Sequence, residues 1–160
     1  MKKLGLLMML LILSRIALFC QPQTAGIEEK EVLKNEDVIF HQIDEHTWFG
    51  TGHLMANESL YLVEGDTKAI LIDAGTKIKD LDKLVASITD KPVTLVATHV
   101  HPDHIGGNHF FDEVYMSPYD MPYVEMFTAP ENLDKRPVVH PVREGNVIDL
   151  GGLHVEVYEL

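Results

Sequence analysis

The segment His99-Val100-His101-Pro102-Asp103-His104 determines how this chain is interpreted. Four of its six side chains can ligate a transition metal, because imidazole nitrogens and carboxylate oxygens are ligands that suit zinc, iron and manganese. The alternative is a polar surface turn, in which Pro102 and Asp103 are common residues. Three histidines and one aspartate in so short a segment favour a metal site with hydrolytic chemistry.

The residues before this segment predict the support for such a site. Residues 93–97 are a continuous apolar run, which is typical of a central strand that is buried on both faces. Apolar residues recur at helical spacing over residues 78–88, and Thr76 can cap the N-terminus of this helix. Because ligand sites in α/β sheets lie where strands end in loops, the segment occupies a place where a site is expected.

Short strands and turns are predicted on both sides of this unit. The strand candidates are residues 38–43, 47–52, 60–64, 69–72, 113–116, 147–150 and 153–158, with a hairpin at Gly65-Asp66. Residues 106–111 are predicted to begin a short helix, residues 118–127 to form a helix or lid, and residues 128–141 to form a loop. This order of elements predicts an α/β fold.

Residues 99–104, here called the metal-ligand segment, are followed by Ile105-Gly106-Gly107-Asn108. This whole sequence resembles the signature of the metallo-β-lactamase superfamily of hydrolases. The resemblance extends upstream to Ser59-Leu60-Tyr61-Leu62-Val63 and to Leu71-Ile72-Asp73-Ala74-Gly75, and it covers residues 38–160. It implies the αββα sandwich of that superfamily, of which this chain would hold the first half only. It also implies a hydrolase of esters, thioesters, lactones or β-lactams, without selecting one of these substrates.

The resemblance implies a role for each candidate residue. His99 and His101 would be two of the three ligands of a first metal, and Asp103 and His104 would bind a second metal. Asp103 would also orient the nucleophile. Asp73 would not bind the metal itself but would orient a ligand, or the loop that carries the ligands. Two zinc ions are expected, with iron as the other option, and a metal-bound hydroxide would attack the substrate.

One departure from the superfamily pattern changes this expectation. The superfamily completes its site with a third histidine after a strand like residues 153–160, and with a bridging carboxylate and a last histidine further on. Because the chain stops at Leu160, we expect the domain at residues 37–160 to be incomplete at its C-terminus and the chain alone to be inactive. Two alternatives stay open: an iron-dependent persulfide dioxygenase, which shares the first-metal histidines, and an inactive truncated fragment that binds metal loosely.

Composition limits the partners. A chain of 160 residues fits one domain, and its 46% hydrophobic residues suffice for a core. The net charge of −12 argues against nucleic acid as the main partner, because neutralising phosphates requires lysine and arginine. A small-molecule substrate is therefore expected, and the oligomeric state is left open.

The N-terminus predicts an export signal. Lys2 and Lys3 precede an apolar stretch at residues 4–13, so residues 1–20 are interpreted as a cleaved secretory leader and the protein as secreted or periplasmic. Residues 21–36 are interpreted as a polar tether with some helical character. Because Cys20 is the single cysteine, no intrachain disulfide is possible. The leader, or lipidation at Cys20, would provide the only contact with a membrane.

We predict that the mature protein begins between Cys20 and Ile27, because a leader of this type is cleaved soon after its apolar region. Mass spectrometry of the N-terminal peptide of the exported protein measures this directly. Intact Met1 on the exported protein would contradict a cleaved leader and would support a membrane anchor.

Overall fold

The computed structural model describes residues 30–53 and 57–159. The predicted leader at residues 1–20, which includes Cys20, and the first part of the predicted tether lie outside the described residues, so what was expected of them stays a prediction. Within the two described ranges, no helix is long and apolar enough to cross a membrane.

The described residues form ten β-strands and three short α-helices. The strands are β1 Lys30–Lys34, β2 Val38–Gln42, β3 Thr47–Gly52, β4 Ser59–Glu64, β5 Ala69–Ile72, β6 Val93–Val96, β7 Glu113–Met116, β8 Val138–Pro141, β9 Val147–Asp149 and β10 His154–Glu156. The helices are α1 Leu81–Ala86, α2 Pro102–Ile105 and α3 Val124–Phe127, and 3₁₀ turns occur at Asn108–Phe110, Met121–Tyr123 and Pro130–Lys135. Strands and helices therefore alternate from β5 to β8, as is typical of the α/β class.

Strands β1 to β8 form one sheet in their order along the chain. The pairs from β1 to β5 are antiparallel, whereas β5–β6, β6–β7 and β7–β8 are parallel and need crossover connections. Strands β9 and β10 pair with each other in a separate two-stranded sheet. Because β5, β6 and β7 are parallel, the residues that follow these three strands emerge at the same edge of the sheet.

Burial fixes the register of the strands. In β4, Leu60 and Leu62 are fully buried while the residues on either side of Leu60 are exposed, as expected of a strand with one buried face. In β5, residues 69–71 are all buried, which is typical of a strand covered on both faces. Helix α1 joins the same core through Leu81 and Val85.

The predicted tether is the first element that differs in the structure. Residues 21–36 were expected to have helical character, yet they contain strand β1, which pairs with β2 and packs Leu33 against the core. A helix this short is not stable on its own. Pairing with the edge of β2 instead gives the backbone groups of β1 hydrogen-bond partners.

The predicted loop at residues 128–141 and the predicted cap at Thr76 also differ. The loop region contains the 3₁₀ turn Pro130–Lys135 and strand β8, which pairs with β7. The N-cap position of α1 is occupied by Asp80, whose side chain makes no capping hydrogen bond. Thr76 lies four residues before this N-cap, and its N–H donates to Oε1 of Glu58 at 3.0 Å.

Two glycines allow the chain to pass directly over the turn that follows β5. A Cβ atom at Gly106 would lie 1.8 Å from the carbonyl oxygen of Thr76, and one at Gly107 would lie 2.6 Å from the carbonyl oxygen of Ala74. Both distances are far shorter than van der Waals contact, so only glycine fits at either position. This close approach seats the end of the metal-ligand segment on the turn at residues 73–76.

We predict that Gly106→Ala lowers the free energy of unfolding by about 3 kcal/mol, because the backbone of Thr76 must move to accommodate the methyl group. Gly145→Ala is the control: no atom lies within 4 Å of its added Cβ, and its φ of 78° is strained for alanine. That strain alone costs about 1 kcal/mol. Urea denaturation measures both variants, and equal losses of stability would contradict the close approach at Gly106.

Candidate metal centre

The metal-ligand segment follows β6 at the sheet edge where β5 and β7 also end. His101 occupies the N-cap position of α2 in an extended conformation, and Pro102 takes the first helical position, where its missing N–H costs nothing. The turn closes when the N–H of His104 donates to the carbonyl oxygen of His101 at 2.9 Å. The chain therefore changes from strand to helix inside the segment, which brings its imidazoles close together.

Asp73 is the buried anchor of this segment. It follows β5 with a left-handed φ of 63°, and only 5% of its surface is exposed. Its Oδ1 accepts the N–H of Thr98 at 2.7 Å, and its Oδ2 pairs with Nδ1 of His104 at 2.8 Å. The hydroxyl of Thr98 also donates to Oδ2, at 2.8 Å. One carboxylate thus fixes both the start and the end of the segment.

The hydrogen bond from His104 to Asp73 sets the tautomer of the imidazole. When Nδ1–H donates to Asp73, the neutral ring carries its lone pair on Nε2. This Nε2 lies 3.3 Å from Oδ2 of Asp103, so two acceptor groups face each other. A cation held between them makes this contact favourable, and Asp103 and His104 therefore fit as a pair of metal ligands.

His99 and His101 lie beside this pair. The ring centroids of His99 and His104 are 3.9 Å apart, and those of His99 and His101 are 4.7 Å apart in an edge-to-face arrangement. Burial lowers the pKa of His99 below its ordinary value, and the neighbouring His104 and His101 lower it further. His99 is therefore neutral at pH 7, which is the form of histidine that ligates metals.

The four side chains supply suitable donor chemistry without forming a closed site. In residues 30–53 and 57–159, no group of three or more histidine, cysteine, aspartate and glutamate side chains is arranged to hold a metal ion. The pairs expected from the sequence are His99 with His101 and Asp103 with His104, although the ring of His99 lies nearer to that of His104 than to that of His101. Each pair provides two of the roughly four donors that a protein zinc site uses.

Two residues that the sequence interpretation missed support the segment. The hydroxyl of Thr98 bonds to Asp73 and also lies 3.1 Å from Nδ1 of His99. Glu58 is a buried carboxylate whose Oε1 accepts the N–H of Thr76, in the turn that follows β5. The place of Thr98 directly before His99 was a usable signal, whereas nothing in the sequence around Glu58 marks it as buried.

The sequence matches a known family over most of its length. Residues 57–160 match the model of the family described as the metallo-beta-lactamase superfamily. An acyl-coenzyme A thioesterase of Gallus gallus, MBLAC2, is 32% identical over an alignment of 99 residues, and the match covers 54% of this chain and 36% of that protein. This chain therefore spans about a third of the length of that curated relative.

Solved structures share the fold. A metallo-beta-lactamase from Pontibacter korlensis has a TM-score of 0.61 at 22% identity, covering 76% of this chain and 60% of that one. The enzyme from Erythrobacter litoralis, solved with beta mercaptoethanol in its active site, has a TM-score of 0.54 at 22% identity, covering 70% and 53%. The mono-zinc form of FIM-1 from Pseudomonas aeruginosa has a TM-score of 0.51 at 19% identity, covering 71% and 56%.

These likenesses confirm the predicted fold class, α/β with a metallo-β-lactamase-like architecture, over part of that fold. The match of the family model to residues 57–160 includes the metal-ligand segment and the turn that supports it. This chain belongs to the metallo-β-lactamase superfamily.

Proposed function

We propose that this protein is a zinc-dependent hydrolase that acts on an ester, thioester, lactone or β-lactam. The observation that carries the proposal is the arrangement of Asp73, His104 and Asp103, in which a buried carboxylate orients an imidazole toward a second carboxylate. In metal sites, a carboxylate commonly fixes a histidine ligand by accepting a hydrogen bond from the ring nitrogen that does not bind the metal.

A thioester is the substrate that we place first. The relative with 32% identity is named as an acyl-coenzyme A thioesterase, and this resemblance supports thioester chemistry over cleavage of the other bonds. We also propose that the protein works outside the cytoplasm, as a secreted or periplasmic enzyme, because two lysines followed by an apolar stretch in residues 1–20 are typical of an export leader.

Each side chain of the site has a distinct part in this proposal. His99 and His101 would hold one zinc ion, and Asp103 and His104 would hold another. When bound, zinc supplies a nucleophilic water at neutral pH and polarises the substrate carbonyl. Asp103 directs the attacking water, and Asp73 keeps His104 in the tautomer that leaves Nε2 free for ligation.

Metal dependence and substrate class are tested together on the intact protein. Zinc content is measured first, and about two equivalents are expected. Hydrolysis of an acyl thioester, an aryl ester, a lactone and a β-lactam is then followed before and after chelation, and again after zinc is restored. Thioester hydrolysis that chelation abolishes and zinc restores would support the proposal.

Other outcomes of this experiment would point elsewhere. Bound iron in place of zinc, together with oxygen-dependent oxidation of a persulfide, would support the dioxygenase alternative. Weak zinc binding with no turnover of any substrate would support the alternative of an inactive metal-binding fragment.

We predict that His101→Ala abolishes both tight zinc binding at the first site and turnover, because a ligand is lost. His154→Ala is the control, since this histidine is exposed on β10 and lies 3.8 Å from Glu156, outside the metal-ligand segment. Zinc titration and thioester hydrolysis are measured for both variants. Activity of His101→Ala within a few-fold of the unsubstituted protein would show that the segment is not the active site.

Asp73→Asn is predicted to weaken zinc binding by about 10- to 100-fold, which is the usual effect of removing a partner behind a metal ligand. The amide has a single acceptor oxygen, so it cannot serve both Thr98 and His104 as the carboxylate does. Asp90→Asn is the matched control, because it removes the same charge from an exposed position. Competition with a chromogenic zinc chelator measures affinity, and equal losses in the two variants would indicate an effect of net charge alone.

A further inference from the structure

Two cavities adjoin the metal-ligand segment, and one stretch of chain borders both. His99 lines a cavity of about 590 Å³, which Tyr119 also lines. Pro102 lines a second cavity of about 420 Å³, together with Phe127. The stretch at residues 117–129, here called the flanking segment, therefore runs past both cavities.

The flanking segment touches a candidate metal ligand directly. The ring of Phe127 meets the ring of His101 edge-on, with centroids 5.6 Å apart. The segment is held in place by Val124, which is buried in the core. A molecule bound against Phe127 would therefore lie beside the first proposed metal position.

Exposed apolar side chains are concentrated in the flanking segment. Eight large hydrophobic residues are exposed in the part of the chain that the structure describes, and three of them lie here: Tyr119, Tyr123 and Met126, at 70%, 50% and 73% exposure. Tyr123 and Met126 are three residues apart around the start of α3, so they share one face. Single exposed apolar residues are ordinary, whereas three within one short segment that also lines both cavities indicate a binding surface.

The smaller cavity has the size and the lining for an apolar group. Its volume of about 420 Å³ falls within the range of about 300–1,000 Å³ for small-molecule sites. Its apolar walls are formed by Ile78, Pro102, Phe110, Phe127 and Ala129. This lining resembles the predominantly apolar lining of most small-molecule sites.

Charge is confined to the rim of this cavity. Lys77, Lys79 and Glu131 border it and are exposed, and Lys79 is already paired with Glu36 at 3.0 Å. His109 also lines the cavity, and burial lowers its pKa, so its ring is neutral at pH 7. The interior therefore presents no charge that would repel an apolar chain.

We propose that the smaller cavity and the flanking segment bind the acyl chain of the substrate. This inference rests on the proposed function, because it assigns a site to the acyl part of the ester or thioester that the zinc centre would cleave. Phe127 carries the connection, since it lines the cavity and contacts His101. A chain in the cavity would leave its carbonyl end beside the metal-ligand segment, which favours medium and long acyl groups over acetyl.

The test measures the binding of saturated fatty acids with four, eight and twelve carbons to the zinc-loaded intact protein. Calorimetry is performed below the micelle concentration of each acid. Full burial of one methylene group favours binding about fourfold, so a chain that is half buried should gain about a hundredfold or more between four and twelve carbons.

Matched variants locate the site. Ala129→Phe fills the cavity and is expected to weaken twelve-carbon binding by about tenfold or more, without changing four-carbon binding. Tyr123→Ser combined with Met126→Ser is expected to weaken twelve-carbon binding by a smaller factor. Val138→Ser and Val147→Ser are the controls, because these valines are also exposed but lie outside the flanking segment. Thermal unfolding verifies that each variant is folded.

Chain-length-dependent binding that is reduced only by the flanking-segment variants would support the proposal. Twelve-carbon binding no tighter than four-carbon binding would overturn it, as would an unchanged chain-length dependence in Ala129→Phe. Loss of the dependence in Ser117→Phe alone would place the chain in the larger cavity and also overturn it. Self-association removed by Tyr123→Ser and Met126→Ser, without acyl binding, would assign the exposed cluster to a contact between copies instead.

The two proposals fail in different ways. Acyl binding with the expected chain-length dependence but without thioester or ester hydrolysis would contradict the proposed function and leave the acyl site intact. Hydrolysis with no dependence on acyl length would be consistent with the proposed zinc hydrolase and would contradict the proposed acyl site.

Discussion

The buried carboxylate of Asp73 joins the sheet to the metal-ligand segment. It stands at the end of β5 and holds Thr98, which follows the neighbouring β6, as well as the imidazole of His104. A buried carboxylate without hydrogen bonds is strongly unfavourable, so these contacts are needed for the fold as much as for the site. They also maintain a backbone conformation at Asp73 that residues other than glycine seldom adopt.

Backbone contacts around this carboxylate hold the loop of the metal-ligand segment in position. The N–H of Ala74 donates to the carbonyl oxygen of His104 at 2.8 Å, and Gly106 and Gly107 pack on the same turn. Glu58 holds the far side of that turn through the N–H of Thr76. The position of the loop is thus set by Asp73, Glu58 and backbone contacts, in which Nε2 of His104 takes no part.

The sequence predicts those parts of the fold in which the local pattern agrees with the tertiary environment. The strands at residues 47–52, 69–72 and 113–116 have the predicted bounds, because alternation or continuous apolar runs mark them. Strands β1 and β8 were missed since each lies at an edge of the sheet, where pairing with one neighbour decides the structure of a weakly patterned segment. Metal ligation, substrate and export stay predictions.

The candidate site residues can likewise be predicted only where the local sequence pattern identifies them. His99, His101, Asp103 and His104 are recognisable because they lie together in the chain, and Asp73 is recognisable because it ends a clear strand. Thr98 and Glu58 depend on contacts with residues far away in the sequence, and a single sequence does not record such contacts. Edge pairing and long-range hydrogen bonds are thus what the sequence alone leaves undetermined.

The parallel pairing of β5 with β6 also dictates when the site can form. A tight turn cannot join parallel strands, so the crossover through α1 must close before Asp73 and Thr98 meet. Closing such a connection is slow relative to local structure, because its entropy is lost before its contacts are gained. During that interval the histidines have no buried carboxylate behind them, and a metal ion encountered then is held only by neighbours in the chain. Under the proposed function, stable metal loading would therefore follow folding, and the rate of crossover closure would limit how soon a newly made chain could retain an ion.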